Sequence, residues 1–132
     1  MSVCRGIRGA ITIKNDTQTE VLAATRELLV ALISANGIEQ DDVASIIFTT
    51  TPDIVSEYPA LAARQLGWTD VALLCGHEMA IERGLKKCIR VLIHWNTEKS
   101  IKEIEHVYLR GAEVLRPDRA LNQLQSTLRQ ED

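Results

Sequence analysis

The chain has 132 residues, 45% hydrophobic and 25% charged, a size and make-up that fit one ordinary globular domain with one core. Its net charge is −3, with 15 Lys and Arg scattered among 18 Asp and Glu, which argues against a nucleic-acid binder, since that needs a dense basic patch. No run approaches the roughly 18 apolar residues of a membrane span, and Met1-Ser2-Val3-Cys4-Arg5 lacks the apolar stretch of a signal peptide, so a cytoplasmic protein is expected.

Residues 3–13, VCRGIRGAITI, read as a strand, with Val3, Ile7, Ile11 and Ile13 as its apolar members. Its two glycines mark a bulge or a close approach by another group, and it carries two arginines, Arg5 and Arg8. Thr17 followed by Glu20 predicts a capping box. Val21, Leu22, Leu28, Leu29, Leu32 and Ile33 then recur at helical spacing, and Asn36-Gly37 is a stop. Residues 45–50, SIIFTT, form a short strand closed by Thr51-Pro52-Asp53. Pro59 to Leu66 reads as a second helix, with Pro in its first turn and Gly67 beyond its end. Val71 to Cys75 reads as a buried strand, 80–87 as a turn or short helix around Gly84, and 88–95, CIRVLIHW, as another strand. Residues 96–103 are expected to be a loop with a short helical turn, and His106 to Leu109 a last strand. The domain is expected to span 1–118, with 119–132 a polar, mobile tail.

This order predicts an α+β domain: one sheet with helices on one face. Strands such as 71–75 are apolar throughout, so the other face needs a cover, and self-association would supply one.

The chemistry lies in misplaced charge. There is no GxSxG elbow, no P-loop and no GxGxxG before a helix. The three cysteines, Cys4, Cys75 and Cys88, form no CxxC pair and are expected to be reduced thiols. His77, His94 and His106 lack zinc-type spacing, so no structural metal is expected. Arginines, however, stand where apolar residues belong. Arg8 lies in a Gly-flanked strand, Arg90 interrupts Cys88-Ile89-Arg90-Val91-Leu92-Ile93, Arg64 lies on the second helix, and Arg116 follows an apolar run. Each alone could face solvent or form a structural ion pair. Together with Glu78 and Tyr108 they point to a small polyanionic ligand, since a guanidinium grips a carboxylate with two parallel hydrogen bonds. Cys75 at a strand end is a weaker candidate, because buried cysteine is usually inert packing. His77 reads as a loop residue, Trp68 and Trp95 as core or interface, and Lys86-Lys87 as a solvated corner.

The same residues carry a resemblance. Arg5-Gly6-Ile7-Arg8-Gly9-Ala10, Thr51-Pro52-Asp53, Tyr58-Pro59-Ala60, Cys75-x-x-Glu78-Met79, Gly84-Leu85-Lys86-Lys87-Cys88-Ile89-Arg90-Val91, His106-Val107-Tyr108-Leu109 and Val114-Leu115-Arg116-Pro117 resemble the monofunctional chorismate mutases of the AroH class, from about residue 4 to 118. The resemblance implies a mixed β-sheet with helices packed on the outside, and a homotrimer with a β-rich pseudo-barrel core and active sites between subunits. Arg8, Cys75, Glu78, Arg90 and Tyr108 would line the pocket from one subunit, and Tyr58, Ala60 and Arg64 from its neighbour. Leu115 and Arg116 would help close it, with Leu74 and Met79 also in the pocket. Two positions depart from the pattern: Leu61 stands where a lysine is expected, and Leu74 where a threonine is. The implied chemistry is the cofactor-free rearrangement of chorismate to prephenate. Arg90 would face the breaking ether bond, Glu78 the ring hydroxyl, and Arg8 and Tyr108 the side-chain carboxylate. A trimeric deaminase of reactive imines and a non-catalytic metabolite sensor are the competing readings.

Overall fold

The computed structural model describes residues 1–116, so the expected tail at 119–132 and its boundary at 118 lie outside the described residues. Five strands form one mixed sheet: β1 (Val3–Thr12), β2 (Val43–Thr50), β3 (Ala72–His77), β4 (Cys88–Thr97) and β5 (Val107–Leu109). Their order is β3-β2-β4-β1-β5. β4 is central and antiparallel to both neighbours, while the outer pairs β2·β3 and β1·β5 are parallel. Among the described residues there are also two helices, α1 (Gln18–Asn36) and α2 (Ala60–Gln65), and three 3-10 turns at Gln40–Asp42, Ile101–Glu103 and Arg110–Leu115.

Helix α1 forms where the periodicity predicts it. Thr17 caps it by accepting the Glu20 N–H at 3.1 Å. The reciprocal half of the predicted capping box differs: Glu20 Oε1 reaches back to the N–H groups of Lys14 and Asn15 instead. A full capping box occurs at Ser100–Glu103, where the short helical turn expected within 96–103 forms. The buried stripe of α1 is Val21, Ala24, Thr25, Leu28, Leu29 and Leu32, and it lies across β1. Gly9 makes this contact possible, because a Cβ there would fall 2.8 Å from a Leu32 methyl.

Alternation along the strands divides the sheet into two faces. The side chains of Ile7 and Ile11 on β1, Ile46 and Phe48 on β2, and Ile89, Val91, Ile93 and Trp95 on β4 point toward the helices and form the main core. The opposite face carries Arg8, Ala10, Thr49, Arg90, Leu92 and Tyr108. The 3-10 turn at Arg110–Leu115 folds back over one end of this face, where Ala10, Cys88, Tyr108 and Ala112 make a small second cluster. That turn has no counterpart in the sequence-based reading.

Strand β3 corrects an expectation. The sequence predicts a buried strand at 71–75; β3 is instead an edge strand with its alternate side chains exposed, Leu74 by 65%. The physical reason is its position: it has one neighbour, β2, and no element of the described chain covers its outer edge. Leu74, Met79 and Ile81 are all exposed large apolar side chains on or just beyond this strand.

Candidate active site

On the open face, strand register sets charged groups side by side. Ala10 pairs with Arg90 on one side and with Tyr108 on the other, and Arg90 pairs with Thr49. The row across the sheet is therefore Tyr108, Ala10, Arg90, Thr49. A methyl side chain at Ala10 leaves room between the guanidinium and the phenol. Arg8 lies two residues before Ala10 on the same face and is exposed. Its backbone N–H donates to His106 Nδ1 at 2.9 Å, which ties β1 to the start of β5. Burial, and then the Arg8 charge, hold the His106 pKa below the usual imidazole value.

Glu78 follows the last residue of β3 and is anchored by its own N–H to the Thr50 carbonyl at 2.9 Å. Its carboxylate meets Arg90 Nη1 at 2.9 Å, and both side chains are partly exposed. An ion pair this open contributes little to folding, so its placement at a cavity rim is the informative fact. The pair divides two hollows. One, of about 300 Å³, is lined by Arg8, Thr49, Glu78, Arg90, Leu92 and Tyr108. The other, of about 520 Å³, shares Glu78 and Arg90 and adds Met79, Leu85, Cys88 and Leu115 to its walls.

A small network fixes the floor of the larger hollow. The Cys88 N–H donates to Thr51 Oγ1 at 3.0 Å, the Thr51 hydroxyl donates to Asp53, and Asp53 Oδ2 accepts the Lys87 N–H at 2.9 Å. Burial acts to raise the Asp53 pKa, but the Thr51 and Lys87 hydrogen bonds outweigh it and leave the carboxyl below its ordinary range. Two residues on from Cys88, Arg90 thus sits on backbone clamped from both sides. The Cys88 thiol is pushed up to about 11 by burial and by the Glu78 carboxylate, with Arg90 opposing, so it is a packing residue and no nucleophile.

The remaining candidates fall elsewhere. Cys75 pairs in register with Phe48, so its side chain is on the helix face, away from Arg90. Burial raises its pKa, and the Ala60 N–H and the Arg64 charge oppose that rise. It borders a separate hollow of about 370 Å³ with Tyr58, Pro59 and His77. Ala60 is buried, Arg64 is exposed on α2, and Tyr58 is 72% exposed. Within one chain, therefore, Arg8, Glu78, Met79, Arg90, Tyr108 and Leu115 gather on one side of the sheet. Tyr58, Ala60, Arg64 and Cys75 gather on the other. Leu74 pairs with Ile47 and lies on the open face near the edge, and Arg116 is exposed just past the last 3-10 turn. Residues that the sequence reading leaves out are Ala10, Thr49, Leu85 and Leu92. A signal for Ala10 and Leu92 exists, since each stands two positions from an arginine already singled out.

The arrangement offers two cations, of which Arg90 is held by Glu78, one carboxylate and a phenol around a concave, partly apolar surface. It can bind a compact dianion and hold a positive charge against a developing negative one. Among the described residues no group of His, Cys, Asp and Glu could hold a metal ion.

Comparison with known proteins agrees with this chemistry. Residues 4–119 match the family described as chorismate mutase type I. A chorismate mutase AroH from Thermus thermophilus is 49% identical over 115 residues, covering 86% of this chain and 94% of that protein. One from Bacillus subtilis (strain 168) is 44% identical over 118 residues, covering 89% and 93%. A solved chorismate mutase from Clostridium thermocellum superposes with a TM-score of 0.82 at 49% identity, covering 83% of this chain and 98% of that one.

Proposed function

The chain belongs to the chorismate mutase type I family and is a chorismate mutase of aromatic amino acid biosynthesis, and from that premise we propose how its own residues perform the reaction. Chorismate rearranges to prephenate in one unimolecular step: a C–O bond breaks as a C–C bond forms, negative charge gathers on the ether oxygen, and the ring becomes positive. No proton moves and no covalent enzyme intermediate forms. The protein's contribution is to hold the flexible side chain over the ring and to place fixed charge where charge develops.

The observation that carries the reading is the Arg90–Glu78 pair at 2.9 Å between two hollows of the open sheet face. Arg90 takes the ether oxygen and the side-chain carboxylate. Glu78 takes the ring hydroxyl and favours the positive ring. Arg8 and Tyr108 hold the side-chain carboxylate, and Leu115 and Met79 give apolar walls. Orientation and electrostatics together need to supply about 8 kcal/mol, the lower end of enzymatic rate gains.

The second group, Tyr58, Ala60 and Arg64, completes the site from a neighbouring subunit of a homotrimer, and Cys75, lying beside Ala60, enters with it. The exposed apolar side chains of Leu74, Met79 and Ile81 and the uncovered edge of β3 support this assembly, because an unpaired apolar edge invites another copy. Arg64 and Arg116 then draw the dianion to the mouth. A pocket edged by Leu61 and Leu74 is drier there than one edged by lysine and threonine. The unpaired thiols of Cys4, Cys75 and Cys88 suit the reducing cytoplasm.

The test is the loss of chorismate absorbance with purified protein, coupled to light scattering. Turnover by a particle of about three times the 14.7 kDa chain mass is expected. Saturable binding without turnover would favour the sensor, and full turnover by a monomer would remove the shared site.

A further inference from the structure

The chain must turn sharply after Tyr108 to bring Leu115 into the larger hollow, and the turn is built on strained backbone. Arg110 has φ 55° although it bears a side chain, a region that L-residues disfavour. Two contacts hold it. On the outside, Arg110 Nη2 donates to Glu27 Oε2 of α1 at 2.9 Å, with both side chains half exposed. On the inside, the Gly111 N–H donates to Thr12 Oγ1, the last residue of β1, at 3.0 Å.

The inner contact leaves no space. A Cβ at Gly111 would stand 2.9 Å from Thr12 Oγ1 and 3.3 Å from Thr12 Cγ2, so a side chain there forces the Thr12 side chain to swing away and break its hydrogen bond, or the turn to lift off β1. The residues just beyond Gly111 are closely tied to the site. Ala112 is fully buried against Ala10, Cys88 and Tyr108, and Leu115, three residues on, shares the hollow with Arg90 and Glu78.

We propose that Thr12 and Gly111 form a positioning contact that sets where Leu115 stands over bound substrate. The proposal rests on the reading of that hollow as the chorismate site. Neither residue touches the reacting atoms; both act through Leu115. Leu115 offers an apolar wall that meets ground state and transition state alike, so displacing it should weaken binding and spare the chemical step.

The experiment is a double-mutant cycle on the full chain, reading KM, kcat and thermal midpoint with chorismate. Gly111→Ala should raise KM about 10-fold and leave kcat within about threefold. Thr12→Ala removes the acceptor but opens the space, and should raise KM by only about threefold. The double variant should be no worse than Thr12→Ala alone, because the clash is gone. If Gly111→Ala does not fold, a folded double variant with the Thr12→Ala KM still supports the contact. Native KM in Gly111→Ala, a loss confined to kcat, or a double variant as impaired as Gly111→Ala would overturn it. A wild-type chain that fails to turn over chorismate would overturn the reading beneath it, an outcome visible before any variant is made.

Discussion

The two faces of the sheet are built from the same strands and do opposite things. On β4, Ile89, Val91, Ile93 and Trp95 point to the helices and are at least 95% buried. The residues between them, Arg90, Leu92 and His94, point the other way and are half-buried. On β1 the alternation is Ile7, Gly9, Ile11 against Arg8, Ala10, Thr12. The helix face is continuous and closed by α1. The open face is concave, charged and only partly covered by the turn at Arg110–Leu115. An antiparallel arrangement permits this division, since one side of the sheet can be packed while the other faces solvent or a partner. In this domain, parity along a strand separates folding from chemistry.

Substitutions on the two faces should therefore read out in different measurements. The largest stability effect is expected on the helix face. Phe48 is fully buried, and Phe48→Ala should cost about 3–5 kcal/mol of stability, seen as a fall in denaturant midpoint. A loss below about 1 kcal/mol would mean that the helix face does not carry the fold. A smaller effect is expected at Cys75, which lies on the helix face but borders the hollow beside α2. With its thiol pKa raised by burial, it is no nucleophile, and Cys75→Ser should hold kcat within about 10-fold. A drop of about 10³-fold or more would give Cys75 a covalent role that the mechanism lacks.

How much of this is legible in the sequence depends on the range of the forces involved. Helix α1 can be read because its signals are local: an N-cap threonine, a 3.6-residue stripe and a terminal glycine. Arg8 and Arg90 stand out because charge in an apolar strand is costly unless it reaches solvent or an anion. Burial of β3 cannot be read, since it depends on which strand lies beside it, and nothing in Val71–Cys75 says that the outer neighbour is missing. The resemblance groups Cys75 with Glu78, yet register with Phe48 turns Cys75 to the helix face, while Glu78, just past the strand end, meets Arg90 on the open face. The Thr51–Asp53–Lys87 network and the Gly111–Thr12 contact join residues 34 and 99 apart. Such contacts arise from the finished topology and have no local signature.

The central claim is that the open face works through fixed charge at Arg90, and one variant tests it most directly. The ether oxygen gains negative charge only in the transition state, so a cation held there lowers the barrier more than it tightens binding. Arg90→Gln keeps hydrogen-bond donors and loses the charge. Measured on chorismate, kcat should fall by about 10²–10³-fold, or ~3–4 kcal/mol. Circular dichroism, particle mass and thermal midpoint should match the parent protein, because the Arg90–Glu78 pair is too exposed to hold the fold. Near-parental kcat in a folded Arg90→Gln protein would contradict the account, and the catalytic cation would have to be sought at another arginine.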